Sequence, residues 1–347
     1  MRIAIRHASI KGKQMESLTA CPSCSSTRRG ARVSVKERLL GEGETFTVLQ
    51  CEGCGLFWTD PRPVKEEIGC YYPEHYAPYQ PSDATETPWL SRGLKGTIRR
   101  WTLTAHLGYR LADLSGLRHR VISTLTRPLK GRYVEFPRFR QGGVLLEVGC
   151  ATGEGLALLR SLGWCVQGVE ISEQACRVAK DRYGLDIFCG ELEKAGLPDV
   201  SVDAVLMSHL IEHVHDPIAT LREVRRILRP GGVVVMATPN VESLERRVFR
   251  QYWYDWDVPR HLFLFSARTL GNCCARAGLR VTRVGYSSYA GDWIRSLAYW
   301  CRDHQWRRLA QWLHSRPRAL TLLLVPLCKL LAWVGATGRM TVVAMRE

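Results

Sequence analysis

From Gly143 onward, short runs of β-branched and aliphatic residues alternate with stretches whose apolar positions recur every three or four residues. The short runs predict strands over 144–147, 166–170, 186–189, 203–207 and 232–237, with 280–285 and 340–344 as a sixth and a seventh. The longer stretches predict helices near 154–162, 172–183, 216–228 and 267–277, the last after the fifth strand. Pro230-Gly-Gly232 supplies the turn into the fifth strand. Strands separated by amphipathic helices must be joined by crossovers, so the pattern predicts a doubly wound α/β sheet of seven strands. A hydrophobic, basic stretch over 291–336 then reads as a helical insertion between the last two strands.

The chain ahead of this region reads differently. Up to about residue 62 it is cysteine-punctuated and rich in turns, with candidate strands at 33–35 and 46–50. From 63 to 140 a Tyr/Pro-rich segment (Tyr71-Tyr-Pro-Glu-His-Tyr-Ala-Pro-Tyr79) and a polar loop through Thr87 lead into basic, helical-looking segments. The expected division is 15–62, 63–140 as a basic helical linker, and 141–347. Nothing before Met15 is patterned as structure, which makes Met15 a candidate start. There is no internal repeat and no low-complexity tract.

Charge narrows the partners. The net charge of +16 is concentrated: Arg99, Arg100, Arg110, Arg118, Arg120, Arg127, Lys130, Arg132, Arg138 and Arg140 face only Asp113 and Glu135 nearby, and a second basic stretch runs from Arg295 to Arg318. Such a field attracts nucleic acid, anionic lipid or phosphorylated substrates, or is a solvated basic surface. The thirteen cysteines are odd in number, and Cys165, Cys189 and Cys301 fall in apolar runs as small buried hydrophobes would, so a disulfide framework is not expected. The basic N-terminus lacks the apolar core of a secretory signal, and a cytoplasmic setting is expected. The run 319–334 is too short for a spanning helix and contains Pro326 and Lys329, so it reads as a buried helix or one lying in a membrane surface.

The strongest chemical signal is the loop after the first strand, Glu147-Val-Gly-Cys-Ala-Thr-Gly153. Gly149, Gly153 and Gly155 suit a sharp strand-to-helix turn that lets a ligand approach the backbone, at the carboxyl end of the strands where such sheets bind ligands. The helix start favours an anion, either a pyrophosphate or a carboxylate. Glu147 chooses between them: it repels a pyrophosphate but tolerates an ammonium or sulfonium, which selects S-adenosylmethionine (SAM). Glu170, at the end of the second strand, is placed to accept both ribose hydroxyls.

Leu145-Leu-Glu-Val-Gly-Cys-Ala-Thr-Gly-Glu-Gly155 resembles motif I of class I SAM-dependent methyltransferases, with Gly149, Cys150, Ala151 and Gly153 at the cofactor. Val169-Glu-Ile-Ser172, Gly190-Glu-Leu192, Ile211-Glu-His-Val-His-Asp-Pro217 and Leu228-Arg-Pro-Gly-Gly232 are similar to the family's later motifs. The resemblance implies a Rossmann-like seven-stranded sheet, ribose contacts at Glu170 and Ile171, and adenine contacts at Glu191 and Leu192. It covers about residues 143–285. Ala151 departs from it, standing where many relatives have a glycine, and its methyl is tolerated if φ stays negative.

Cys21-Pro-Ser-Cys24 and Cys51-Glu-Gly-Cys54 have the spacing of two zinc knuckles, and four thiolates would hold a structural Zn with no open position. Reduced, unliganded thiols and a rubredoxin-like iron site are the alternatives. A four-cysteine zinc ribbon ahead of a class I domain, with Asp60-Pro-Arg-Pro63, Tyr71-Tyr-Pro, Tyr76 and Asp257-Val-Pro-Arg-His-Leu-Phe-Leu-Phe-Ser266, resembles a bacterial group that modifies sugars, lipid-linked glycans and related precursors. A hydroxyl or carbon acceptor calls for a base. His209 is the first candidate, His213 the second, with Glu212 between them; each histidine can instead be packed and merely orient the loop. Arg260 and His261 are candidate substrate contacts, Arg260 alternatively an ion pair with Asp257 or Asp255. Trp253 is a candidate stacking surface or simply core.

The leading expectation is methylation of a small-molecule, sugar or lipid-linked glycan precursor, polysaccharide biosynthesis included, with docking on an anionic membrane surface at the inner face. An RNA methyltransferase is the alternative, suggested by charge and ribbon. His209-Leu-Ile-Glu-His213 is not the Asn/Asp-Pro-Pro-aromatic turn of nucleobase amino methylation, so nucleic acid is not favoured. A non-catalytic SAM-fold binding protein is the third reading.

Overall fold

The computed structural model describes residues 5–10, 12–40, 43–73, 76–80, 93–127, 129, 135–315 and 318–347. Lys130 and Arg132 of the basic stretch lie outside them, as does the polar loop through Thr87. Strands β1 (Ile5–Ile10), β2 (Lys13–Leu18), β3 (Arg29–Lys36), β4 (Thr45–Cys51), β5 (Phe57–Thr59) and β6 (Arg62–Pro63) come first, then helices α1 (Leu94–Leu107) and α2 (Gly116–Thr126). The segment expected to be featureless before Met15 is a hairpin: β1 pairs with β2 from Ile5 opposite Leu18 to Ile10 opposite Lys13, and β2 in turn pairs with β6. Met15 is buried there, held by a strand partner that the hydrophobic pattern did not reveal.

The remainder alternates: β7 (Val144–Val148), α3 (Glu154–Ser161), β8 (Cys165–Glu170), α4 (Glu173–Tyr183), β9 (Phe188–Cys189), β10 (Val202–Ser208), α5 (Pro217–Ile227), β11 (Leu228–Pro239), α6 (Leu244–Phe249), β12 (Phe263–Leu264), α7 (Ala267–Arg276) and β13 (Arg280–Tyr286). Helices α8 (Gly291–Asp303), α9 (Arg307–His314) and α10 (Arg318–Trp333) follow before β14 (Arg339–Met345). The seven-stranded sheet runs β13-β14-β11-β10-β7-β8-β9. Its β7–β11 members are mutually parallel, and β14 enters antiparallel between β11 and β13. Strand order therefore reverses beside β7, which opens a crevice at the carboxyl ends of β7 and β10.

Local chemistry fixes the helix ends. The Asp216 carboxylate accepts from the Ile218 and Ala219 amides ahead of Pro217, and α5 then buries Ile218, Leu221, Val224 and Ile227 on one face. Ser266 and Thr269 form a reciprocal cap on α7. Strand β11 starts at Leu228, ahead of the expected turn, because Val202 already pairs with Leu228 before a register shift. Cys189 is exposed because β9 is the edge strand, and Cys165 because β9 pairs only with Val169 and Glu170 at the far end of β8, while Cys301 is buried as expected.

The amino-terminal module is not a bead on a string. Strands β3, β4 and β5 form a four-stranded sheet whose last member is β12, with Phe263 opposite Trp58 and Leu264 opposite Phe57. Cys21, Cys51, Cys54 and Trp58 share one core with Leu221, Leu270 and Cys273 of the main domain. Between the modules, Tyr109 donates to the Pro137 carbonyl and accepts from Trp164 Nε1, both at 3.1 Å, which ties the α1 segment to the main sheet. Among the described residues no helix is long and apolar enough to cross a membrane.

Candidate functional site

The β7–α3 loop is clipped to the end of β8. Gly149 N–H donates to the Val169 carbonyl at 2.8 Å, Ala151 N–H to Glu170 Oε2 at 2.8 Å, and Ser172 N–H to Glu170 Oε1 at 2.9 Å. Gly149 takes φ 72°, and a Cβ there would stand 3.0 Å from Leu210. Ala151 also has positive φ, at 47°, so the condition on its methyl is not met and the loop holds an alanine in left-handed backbone. Glu147 lines an apolar cleft of about 130 Å³ with Gly155, Leu158, Leu206, Met207, Val235 and Phe136. Its Oε2 is buried without a hydrogen-bond partner, and a Cβ on Gly155 would sit 3.2–3.3 Å from its two oxygens. Burial and the neighbouring Glu170 charge push the Glu147 carboxyl up to about 8. Burial raises Glu170 too, against the amides that hold it. Glu191 pairs with Lys65 at 2.8 Å and Lys194 at 3.4 Å, which keeps its carboxyl low; Leu192 is buried, and Ile171 is exposed.

Across the crevice, β10 ends at Ser208 and His209 follows it with φ 51°. Glu212 is fully buried: Thr238 Oγ1 donates to Oε2 at 2.9 Å, and His209 Nδ1 lies 3.3 Å from Oε1. Burial alone would raise this carboxyl, but His209, His213 and His261 bring it down to about 2. His209 Nε2 faces the Arg339 guanidinium at 3.4 Å, which Asp292 holds by two bonds of 2.6 and 2.9 Å. His213 Nδ1 lies 3.0 Å from the Arg260 carbonyl, which can only accept, so Nδ1 carries the proton and Nε2 the lone pair. Burial and His261 lower His213 to about 4, leaving it neutral at physiological pH. Its ring packs edge-on against His261 at 4.7 Å, and Tyr72 Oη lies 3.1 Å from Nδ1. Tyr72, Tyr76 and Tyr79 then step ring to ring at 5.1 Å each toward Glu170, and burial, aided by the Glu170 charge, pushes Tyr79 up to about 12.

A family model described as a methyltransferase domain matches residues 117–284. A probable S-adenosylmethionine-dependent methyltransferase of Mycolicibacterium smegmatis is 39% identical over 100 residues, 28% of this chain and 39% of that protein. A malonyl-[acyl-carrier protein] O-methyltransferase of Serratia marcescens is 28% identical over 44% of this chain and 60% of its own length. A ubiquinone biosynthesis O-methyltransferase of Parvibaculum lavamentivorans is 29% identical over 44% of this chain and 65% of its own length.

Residues 117–284 form a class I SAM-dependent methyltransferase domain.

The chain spans less than two thirds of the length of each of these relatives. A SAM-dependent methyltransferase structure from Thermotoga maritima, 18% identical, covers 72% of this chain and 95% of its own at a TM-score of 0.42, too loose an overlap to bear on function.

The methyltransferase domain brings Glu147, Gly149, Cys150, Ala151, Gly153 and Glu170 into one loop cluster, and Glu212 touches His209 directly. Arg260 is 1% exposed and bonded to Asp257, Glu37 and the Tyr71 carbonyl, so no face of it is left for an acceptor anion. Trp253 is also 1% exposed, its ring edge-on to Trp256 at 5.3 Å, so it is core and not a stacking platform. His261 is buried with Nδ1 donating to the Asp255 carbonyl at 2.7 Å and touches the site through His213. Tyr72, Tyr76, Tyr79, Lys65 and Arg339 were not singled out as site residues. The sequence marks the three tyrosines only as part of the Tyr/Pro-rich segment, and it carries no signal for Lys65 or Arg339.

In the amino-terminal module the four cysteines converge, with their sulfurs all within 4.8 Å of one another. Cys21 and Cys54 Sγ are 3.5 Å apart, as are Cys24 and Cys51 Sγ. A tetrahedral ion with metal–sulfur arms of about 2.3 Å requires sulfurs roughly 3.8 Å apart, so the cluster fits one. Arg276 donates to the Pro22 carbonyl at 2.7 Å and Arg268 to the Cys54 carbonyl at 2.6 Å, fastening both knuckles to α7.

Proposed function

We propose that the chain methylates a small-molecule, sugar or lipid-linked glycan precursor at oxygen or carbon, with SAM as donor. The observation that carries this reading is the buried, partnerless carboxylate oxygen of Glu147 at the mouth of the glycine loop. Such an atom is costly unless a ligand completes it, and its charge and place suit an ammonium group. The amides at the start of α3 would meet the ligand's carboxylate, and Glu170, with one backbone donor on each oxygen, keeps lone pairs for two ribose hydroxyls. Glu191 and Leu192 would border the base. The cofactor supplies a methyl group made electrophilic by its sulfonium.

On the acceptor side His213 is the better base: it is neutral, whereas the His209 lone pair is turned to a guanidinium. Glu212 would then stabilise the imidazolium. The relatives' names speak of O-methylation of carried or small acceptors, which supports this class of acceptor over RNA. A structural Zn in the cysteine cluster, and a cytoplasmic protein working at the inner face of a membrane, belong to the same reading.

Calorimetry with SAM, followed by transfer of labelled methyl to sugar nucleotides, lipid-linked glycans and RNA, tests it. The wild type should bind, and Gly149→Val should not. Unchanged affinity in that variant would overturn the cofactor site. Binding without transfer to any acceptor would favour a non-catalytic protein, and salt-sensitive transfer to RNA would replace the acceptor class.

A further inference from the structure

We propose that α9 and α10 are the face by which this protein docks on an anionic lipid bilayer. Helix α9 buries Ala310 and Leu313 against Ile294, Ala298 and Cys301 of α8 and turns Trp312 outward, and Trp306 just ahead of it is exposed as well. Helix α10 buries only Cys328 and Leu331 fully, and leaves Leu323 75% and Trp333 84% exposed, with Leu322 and Leu330 also open. Large apolar side chains in such number are rare on a surface with nothing to cover it.

The charge pattern identifies the cover. From His304 to Arg346 the sequence has no Asp or Glu, while Arg307, Arg308, Arg318 and Lys329 are exposed on the same two helices. Leucine and tryptophan flanked by cations, without a single acid, is the chemistry of a helix lying in the headgroup layer. A second copy would bring the same cations against themselves. Helix α10, with 16 residues and Pro326 and Lys329 inside it, is suited to lie in the interface and not to span it.

The placement matters for the acceptor. Helix α8 begins this insertion, and its Asp292 holds Arg339 beside His209, while Arg295 stands over the Tyr254 ring at 4.6 Å. A docked α9–α10 face would bring the acceptor side of the crevice toward the bilayer. That consequence rests on the proposed acceptor class; docking itself does not.

Co-sedimentation of the full chain with phosphatidylglycerol–phosphatidylcholine vesicles, against phosphatidylcholine alone, tests the docking face. The wild type should sediment with the anionic vesicles and be released by salt. Arg307→Glu with Arg308→Glu should weaken partitioning by roughly tenfold or more, and Leu323→Ser with Trp333→Ser should weaken it in low and high salt. Both pairs should keep the wild-type melting temperature and SAM affinity, which separates this result from failure of the cofactor site. No preference for anionic vesicles, or partitioning indifferent to both pairs, overturns the proposal. A dimer in light scattering that the Leu323/Trp333 pair breaks, without vesicle binding, overturns it in favour of a contact between copies. Vesicle binding without transfer to any lipid-linked acceptor upholds docking and removes the acceptor class alone.

Discussion

Glu147 and Ala151 are each poorly placed for stability and well placed for a ligand. A carboxyl raised to about 8 binds its proton in the folded chain and releases it in the unfolded one. Cofactor-free stability should therefore fall as pH rises from the ordinary carboxylate range toward 8, and Glu147→Gln should flatten that fall in pH-dependent melts. A cationic ligand needs the ionised form, so SAM affinity should drop by up to about tenfold per pH unit below 8, and the Gln variant should bind weakly at every pH. Ala151 is in left-handed backbone beside a carboxylate that grips its amide. Left-handed backbone costs an alanine about 1–2 kcal/mol, so Ala151→Gly should raise stability by about 0.5–1 kcal/mol after the entropy glycine adds to the unfolded chain is taken off. A calorimetric melting point shifted upward by roughly 1–2 °C would show it. Neither feature is legible in sequence: the motif marks a turn, but the sign of φ and the missing hydrogen bond appear only once the loop is folded.

The elements that meet the crevice come from distant parts of the chain. The segment with Tyr72, Tyr76 and Tyr79 bridges His213 and Glu170, two positions on different strand ends. Tyr72→Phe removes one hydrogen bond to the His213 ring without touching the glycine loop. It should leave SAM affinity unchanged and lower kcat by roughly tenfold, read in single-turnover transfer with labelled cofactor. Periodicity located the strands and helices of the sheet because each buries one face, and that signal is local. The short strands β5, β6 and β12 were missed for the opposite reason: at two or three residues they carry no period, and only a partner across the sheet makes them strands.

At the scale of the molecule the cysteine cluster and the methyltransferase domain share a core, a sheet and hydrogen bonds, and should unfold together. Both knuckles are bonded to α7, and β5 and β12 pair across the boundary. Chelation, or Cys51→Ser, should lower the melting temperature of the whole chain in a single transition, with a stability loss of about 4 kcal/mol or more, and metal analysis of the untreated protein should give about one Zn equivalent. Two transitions, or an unshifted one, would mean that the modules melt apart or that no ion is held.

The sequence by itself determined the alternation of strands and helices in the main sheet, the glycine loop with its two acids, and the four cysteines, because each depends on nearest neighbours or on fixed spacing. Tertiary structure decided what those residues are free to do. It enclosed Arg260 and Trp253, set Arg339 against His209, left His213 neutral, and turned the leucines of α10 outward. Burial, charge pairing and exposure belong to contacts between segments far apart in the chain, and no local pattern encodes them.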